Sequence, residues 1–249
     1  MTTRVTPTSA RAGCRRSVSL PAAAGIGYSV AWIISQSAGA PNPSVSAPGT
    51  RVIADFAGHG GPMMTMFVLA EGVAAVALVV VVLSVAKAAG RCGGRLAGLA
   101  VAGFGIASAV MSWIELGLST WLIGGLIPGR RTDTAGAVYH AINRTDGAKM
   151  LVLAAMAVAI SVVALRTVSL PRWLAPLGFL LAVTLVVSGL GWILLASGLA
   201  SSVWVSGILL LIFVTCTGVT LRRLCDPPGY GHRGDRGDWS VHAGGVVPV

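Results

Sequence analysis

Residues 69–88 read LAEGVAAVALVVVVLSVAKA, with Glu71 near one end, Lys87 near the other, and only apolar or small side chains and one serine between them. A helix rises 1.5 Å per residue, so about 20 apolar residues cross a hydrocarbon core of roughly 30 Å. A helix of a soluble protein keeps a polar face, and this stretch has none. It reads as the heart of a membrane span, placed at residues 63–86.

The same pattern repeats on both sides. A weakly apolar segment at 18–37 precedes a loop at 41–62 rich in Pro, Ser and Gly. After KAAGRCGGR comes a third span at 96–122, then the loop containing PGRRTDTAG. A helix starts near Ala135 outside the hydrocarbon, enters it near Gly147 and runs to about Leu165. RTVSLPR is a turn. Spans five (173–196) and six (203–221) are joined by SGLASS, short enough to force an antiparallel hairpin. The expected fold is therefore all-α, a polytopic transmembrane helix bundle of six spans. It comprises a basic segment at 1–17, the membrane domain at 18–221 and a disordered Gly/Pro-rich tail at 222–249.

Composition agrees: 55% of the 249 residues are apolar and 10% charged, which excludes an ordinary soluble domain. The net charge of +10 does not imply nucleic acid, because the basic residues fall in short segments between apolar runs. Arg4, Arg11, Arg15, Arg16, Lys87, Arg91, Arg95, Arg166, Arg172, Arg222, Arg223, Arg233 and Arg236 fall on one side; Arg51, Arg130, Arg131, Arg144 and Lys149 fall on the other. The richer side is expected to be cytoplasmic, which puts both termini inside. The four cysteines are scattered at Cys14, Cys92, Cys216 and Cys225 and imply no disulfide framework. RRSVSLPAAAGIGYSVAWIISQSAGA also has the layout of a twin-arginine export signal ending in Ala38-Gly39-Ala40, whose cleavage would leave five spans.

The chemistry must be sought among polar residues inside the spans. Glu71 lies roughly 12 Å below Met63 and Glu115 roughly 10 Å below Leu122, so both fall at similar depth in the outer half. An acid at a span's centre is unfavourable by about 2.5 to 3.5 kcal/mol and so faces the bundle or a wet cavity. Ser108, Ser112, Glu115 and Ser119 are spaced 4, 3 and 4 and form one stripe of a helix, although serines alone also serve close packing. In YHAINRTDGAKM, the residues Tyr139, Asn143, Asp146 and Lys149 or Met150 share a face. Glu71, Glu115, Asn143, Asp146 and Lys149 are therefore expected to converge on one outward-facing polar pocket that binds or moves a proton or small ligand. A network that only locks helices is the competing reading.

Other signals carry less. His59 and His140 stand at helix ends without HxxxH, HxxE or cysteine partners, so neither a metal nor a haem or other cofactor is expected. No GxSxG, HExxH or phosphate loop accompanies the acids, leaving a lipid-modifying envelope enzyme as a weaker alternative to a non-enzymatic role. RGDRGD falls in the tail and reads as a solvated segment near lipid headgroups. GRLAG, residues 94–98, matches small-xxx-small packing, within the bundle or between copies or with a membrane partner.

EGVAAVALVVVVLSVAKA, NRTDGAKMLVLAAMAVAISVVALR and LPRWLAPLGFLLAVTLVVSGLGWIL resemble a group of uncharacterised actinobacterial multi-pass membrane proteins, from span two through span five. The matching positions are Glu71, Asn143, Asp146, Lys149, Pro171, Arg172 and Trp173. The resemblance implies a bacterial membrane location and no particular activity.

Overall fold

A computed structural model describes residues 19–39 and 41–225, with side chains through 221. Among the described residues the chain is helical without strands: α1 (Leu20–Ser37), α2 (Gly49–Phe56), α3 (Gly60–Phe67), α4 (Ala74–Arg91), α5 (Arg95–Trp121), α6 (Thr132–Arg166), α7 (Leu174–Ile193), the single turn α8 (Ser197–Ala200) and α9 (Val203–Cys225). Five rods are long and apolar enough to cross a membrane: Gly60–Arg91, Arg95–Leu126, Thr132–Arg166, Leu174–Ile193 and Ser197–Leu221. The fold is the all-α helical bundle that the hydropathy pattern predicts.

The outer faces of these rods stay apolar. Leu83, Val110, Ile114, Leu180, Val183 and Ile208 are each at least 45% exposed, a surface that suits lipid and not water. Inside, α6 packs against α5 and α7, and α4 packs against α5 and α1. Apolar residues such as Leu78, Val82, Met156, Val163, Leu181 and Phe213 fill the core.

The first helix is shorter and less apolar than the five rods, and it packs into the bundle against α9 and α4. Its contact with α9 is made by small and hydroxylic residues. Ser29 Oγ lies 2.7 Å from Thr215 Oγ1, and the Thr215 hydroxyl donates to Gly25 O at 3.2 Å. Small residues let two backbones approach and exchange such bonds where no water competes.

Three boundaries differ from the expectation. Residues 41–62 are not simply a loop: Val52 and Phe56, one turn apart on α2, bury 0% and 3% exposed surfaces against α6. Pro, Ser and Gly dominate the composition there and hide this short amphipathic helix. The third rod, the fourth of the expected spans, begins at Thr132, three residues before Ala135. At the far end α9 continues through Cys225, past the expected break at 222, while residues 226–249 and 1–18 lie outside the described residues.

GRLAG is used within the chain. A Cβ on Gly98 would stand 2.9 Å from Ala86 O, so this position packs α5 on α4.

Candidate functional site

Glu71 lies in a π-helical segment, residues 68–73, that joins α3 to α4 without a break in the rod. Bonds from i to i+5 take more residues per turn than the α-helix, and such insertions recur at functional sites. The wider turn keeps Phe67, Glu71 and Ala75, each four residues from the next, on the wall of one cavity.

Glu115 reaches the same place from α5. The stripe Ser108, Ser112, Glu115 and Ser119 is buried along its whole length, with Glu115 2% exposed, as the 4, 3, 4 spacing predicts. From α6 come Asp146 and Lys149, one turn apart. The Lys149 ammonium donates to Glu115 Oε2 at 2.6 Å, to Asp146 Oδ1 at 2.7 Å and to Glu71 Oε2 at 2.8 Å. All three of its N–H groups are thereby used.

The helices can stand this close because α6 and α7 touch through glycine at the same level. A Cβ on Gly147 would lie 2.7 Å from Gly189 O, and one on Gly189 would lie 2.7 Å from Gly147 O. Any side chain there would push α7 away, two residues from Lys149.

Asn143 departs from the expected set. It lines the cavity, but its amide donates to Val45 O at 2.9 Å and does not join the ion cluster. Tyr139 Oη donates to Pro43 O at 2.9 Å, and a ring nitrogen of His140 lies 3.2 Å from Ala47 O. These three consecutive polar positions of α6 pin the 41–48 segment across the end of the cavity. Their role is to close a wall, which explains why a shared helical face was a correct but incomplete guide. His59 is exposed and lies 3.1 Å from Ala57 O.

The cavity measures about 330 Å³ and joins the acids to an aromatic wall supplied by Tyr28, Trp32, Phe67 and Trp192. That wall was missed in the sequence, since nothing in residues 20–37 says that α1 lies across from Glu71. Some buried hydroxyls in the rods bond back to their own helix, as Ser161 does to Ala157 O and Thr217 to Phe213 O. Ser108 and Ser112, 1% and 6% exposed, line the cavity, and Glu115 Oε1 is buried without a hydrogen-bond partner among the described residues.

No protein-family model matches the chain, and comparison with curated proteins and with solved structures finds no match. The chemistry must come from the geometry. Glu71, Glu115 and Asp146 bring one carboxylate oxygen each within 4.8 Å of one another, a spacing that would suit a metal ion. The Lys149 ammonium contacts all three carboxylates and takes that central position. Fully ionised, three carboxylates and one ammonium leave an excess of two negative charges. A low-dielectric interior tolerates this only if protons or another cation balance it. No histidine is among the described lining residues.

Proposed function

We propose that the chain is a membrane protein that takes up a proton or a small ligand in this pocket. The observation that carries the reading is the convergence of Glu71, Glu115 and Asp146 on one buried ammonium at the wall of a cavity of about 330 Å³. Intramembrane ionisable residues are costly and tend to mark pathways for ions and substrates. A site with surplus carboxylates gains and loses positive charge more readily than a balanced pair.

We place the protein in a bacterial inner membrane with both termini cytoplasmic, on the strength of the basic-residue asymmetry and the resemblance to actinobacterial multi-pass proteins. In that orientation the 41–48 segment and α2 face outward, and the pocket loads from outside. Purified protein in vesicles, with a pH-sensitive dye inside, tests the reading. Wild type is expected to pass protons under an imposed potential, and Glu71→Gln and Glu115→Gln to abolish the flux. Retained flux in both variants, with both folded, sinks it.

A second reading, a network that only locks the helices, is favoured by the complete use of the Lys149 donors. It predicts that the same two variants lose thermal stability while wild type moves no charge.

A further inference from the structure

Outside the cavity, the other features of the molecule carry little. A shallow groove between Val76 and Trp113 is wholly apolar and faces lipid, and Cys92 is an exposed thiol with no cysteine partner among the described residues. The main cavity carries more, because its polar and aromatic parts differ in what they ask of an occupant.

We propose that the ligand of the pocket is a small amphipathic amine, bound as its ammonium ion with its apolar body against the aromatic wall. The inference rests on the pocket reading above and narrows it to one chemical class. Charge comes first: three carboxylates face one ammonium, so a cation is attracted and an anion repelled. Hydrogen bonding comes next. Glu115 Oε1 is an acceptor without a donor among the described residues, and the Ser108 and Ser112 hydroxyls line the same pocket and can also accept. An ammonium with N–H groups satisfies such acceptors, whereas a quaternary nitrogen has no proton to give. Shape comes third. Tyr28, Trp32, Phe67 and Trp192 line the space beside the acids, and ring faces attract a cation as well as apolar surface. A volume of about 330 Å³ falls at the small end of ligand pockets, which suits one ring and a short chain better than a lipid.

The charged and titratable groups around the ammonium's place are Glu71 on the π-helical segment, Glu115 on α5, Tyr139, Asp146 and Lys149 on α6, and Tyr28 on α1. An entering ammonium ion takes over part of the charge balance that protons would otherwise provide. Binding therefore competes with protonation and strengthens as pH rises, until the amine itself loses its proton.

The test uses three near-isosteric probes, phenethylamine, 2-phenylethanol and phenylacetate, titrated into the full-length protein in lipid nanodiscs and read by calorimetry. Saturable binding of one phenethylamine per chain is expected, with the alcohol and the acid at least roughly tenfold weaker. Glu115→Gln, which removes the charge but keeps the shape, should weaken phenethylamine by a similar factor. Trp192→Leu keeps every charge and should weaken it less; it serves as the readout should Glu115→Gln fail to fold. Equal binding of the three probes, or binding untouched by both variants, overturns the amine assignment and indicates partition into the bundle or lipid. If no probe binds, infrared spectroscopy separates the two readings. A protonated-carboxyl band that changes with pH and is absent in Glu71→Gln or Glu115→Gln keeps the proton site and ends the amine proposal, while no such band ends both.

Discussion

At the scale of single residues, Lys149 is the position on which the interior depends. Its ammonium is the one positive group in contact with Glu71, Glu115 and Asp146 among the described residues. Removing one partner of a buried ion pair leaves the other charge uncompensated, typically at about 3 to 5 kcal/mol. Lys149→Met is therefore expected to destabilise the bundle by that order, read as unfolding in mixed micelles. The loss should be partly reversed when Glu71→Gln and Glu115→Gln are added, with Asp146 left as the remaining uncompensated carboxylate, because groups in one network are not additive. An unchanged loss in the triple variant would show that the lysine stem, and not its charge, holds the helices. Asn143 makes the opposite case. Its amide donates to the Val45 carbonyl, so Asn143→Leu should leave that acceptor unpaired at about 1 to 3 kcal/mol, and amides of residues 41–57 should exchange faster with solvent deuterium. Exchange at α7 should stay as in wild type. The composition of this site was legible in the sequence, because a carboxylate in an apolar run demands a partner and the spacing of Asp146 and Lys149 supplied one. Its division of labour was not, since Asn143 and Lys149 share a face and only the tertiary position of residues 41–48 separates their roles.

At the scale of elements, the π-helical segment 68–73 and the glycine contact between α6 and α7 place the charged groups. Neither is written as a motif. Hydropathy sees 60–91 as one uninterrupted apolar rod, and the extra residue of a π turn leaves no mark on composition. Deleting Val73 should regularise the rod and turn Glu71 by about 100° relative to the buried face of α4. The expected result is a folded protein whose ligand or proton response is lost as in Glu71→Gln. A deletion variant with full response would mean that the π turn is incidental. Gly147→Ala tests the second device, since its Cβ would meet Gly189 O at 2.7 Å and Ile193 N at 2.9 Å. Overpacking of this kind costs about 1 to 3 kcal/mol. Gly103→Ala, where a Cβ would meet nothing within 4 Å, is the matched control and should leave stability unchanged.

At the scale of the whole molecule, the helical class and the five principal rods were legible because a hydrocarbon core imposes length and apolarity on every segment that crosses it. Helix order around the bundle was not, because lipid-facing and core-facing residues are alike apolar and the pattern gives no inside or outside. This is why the aromatic residues that α1 brings to the cavity wall escaped notice while the acids did not. Orientation rests on a different force. Lys87, Arg91, Arg95, Arg166 and Arg172 gather at the end of the bundle opposite α2, and positive residues are retained on the cytoplasmic side during insertion. Cys92, exposed in the turn between α4 and α5, reports that end directly. With Cys14, Cys216 and Cys225 replaced by Ser, a membrane-impermeant maleimide should leave Cys92 untouched in intact cells and modify it once the membrane is opened. A second cysteine, introduced as Thr50→Cys on α2, should show the reverse and react from outside. Labelling of Cys92 in intact cells would invert the molecule, and the pocket would then load from the cytoplasm with its chemistry unchanged.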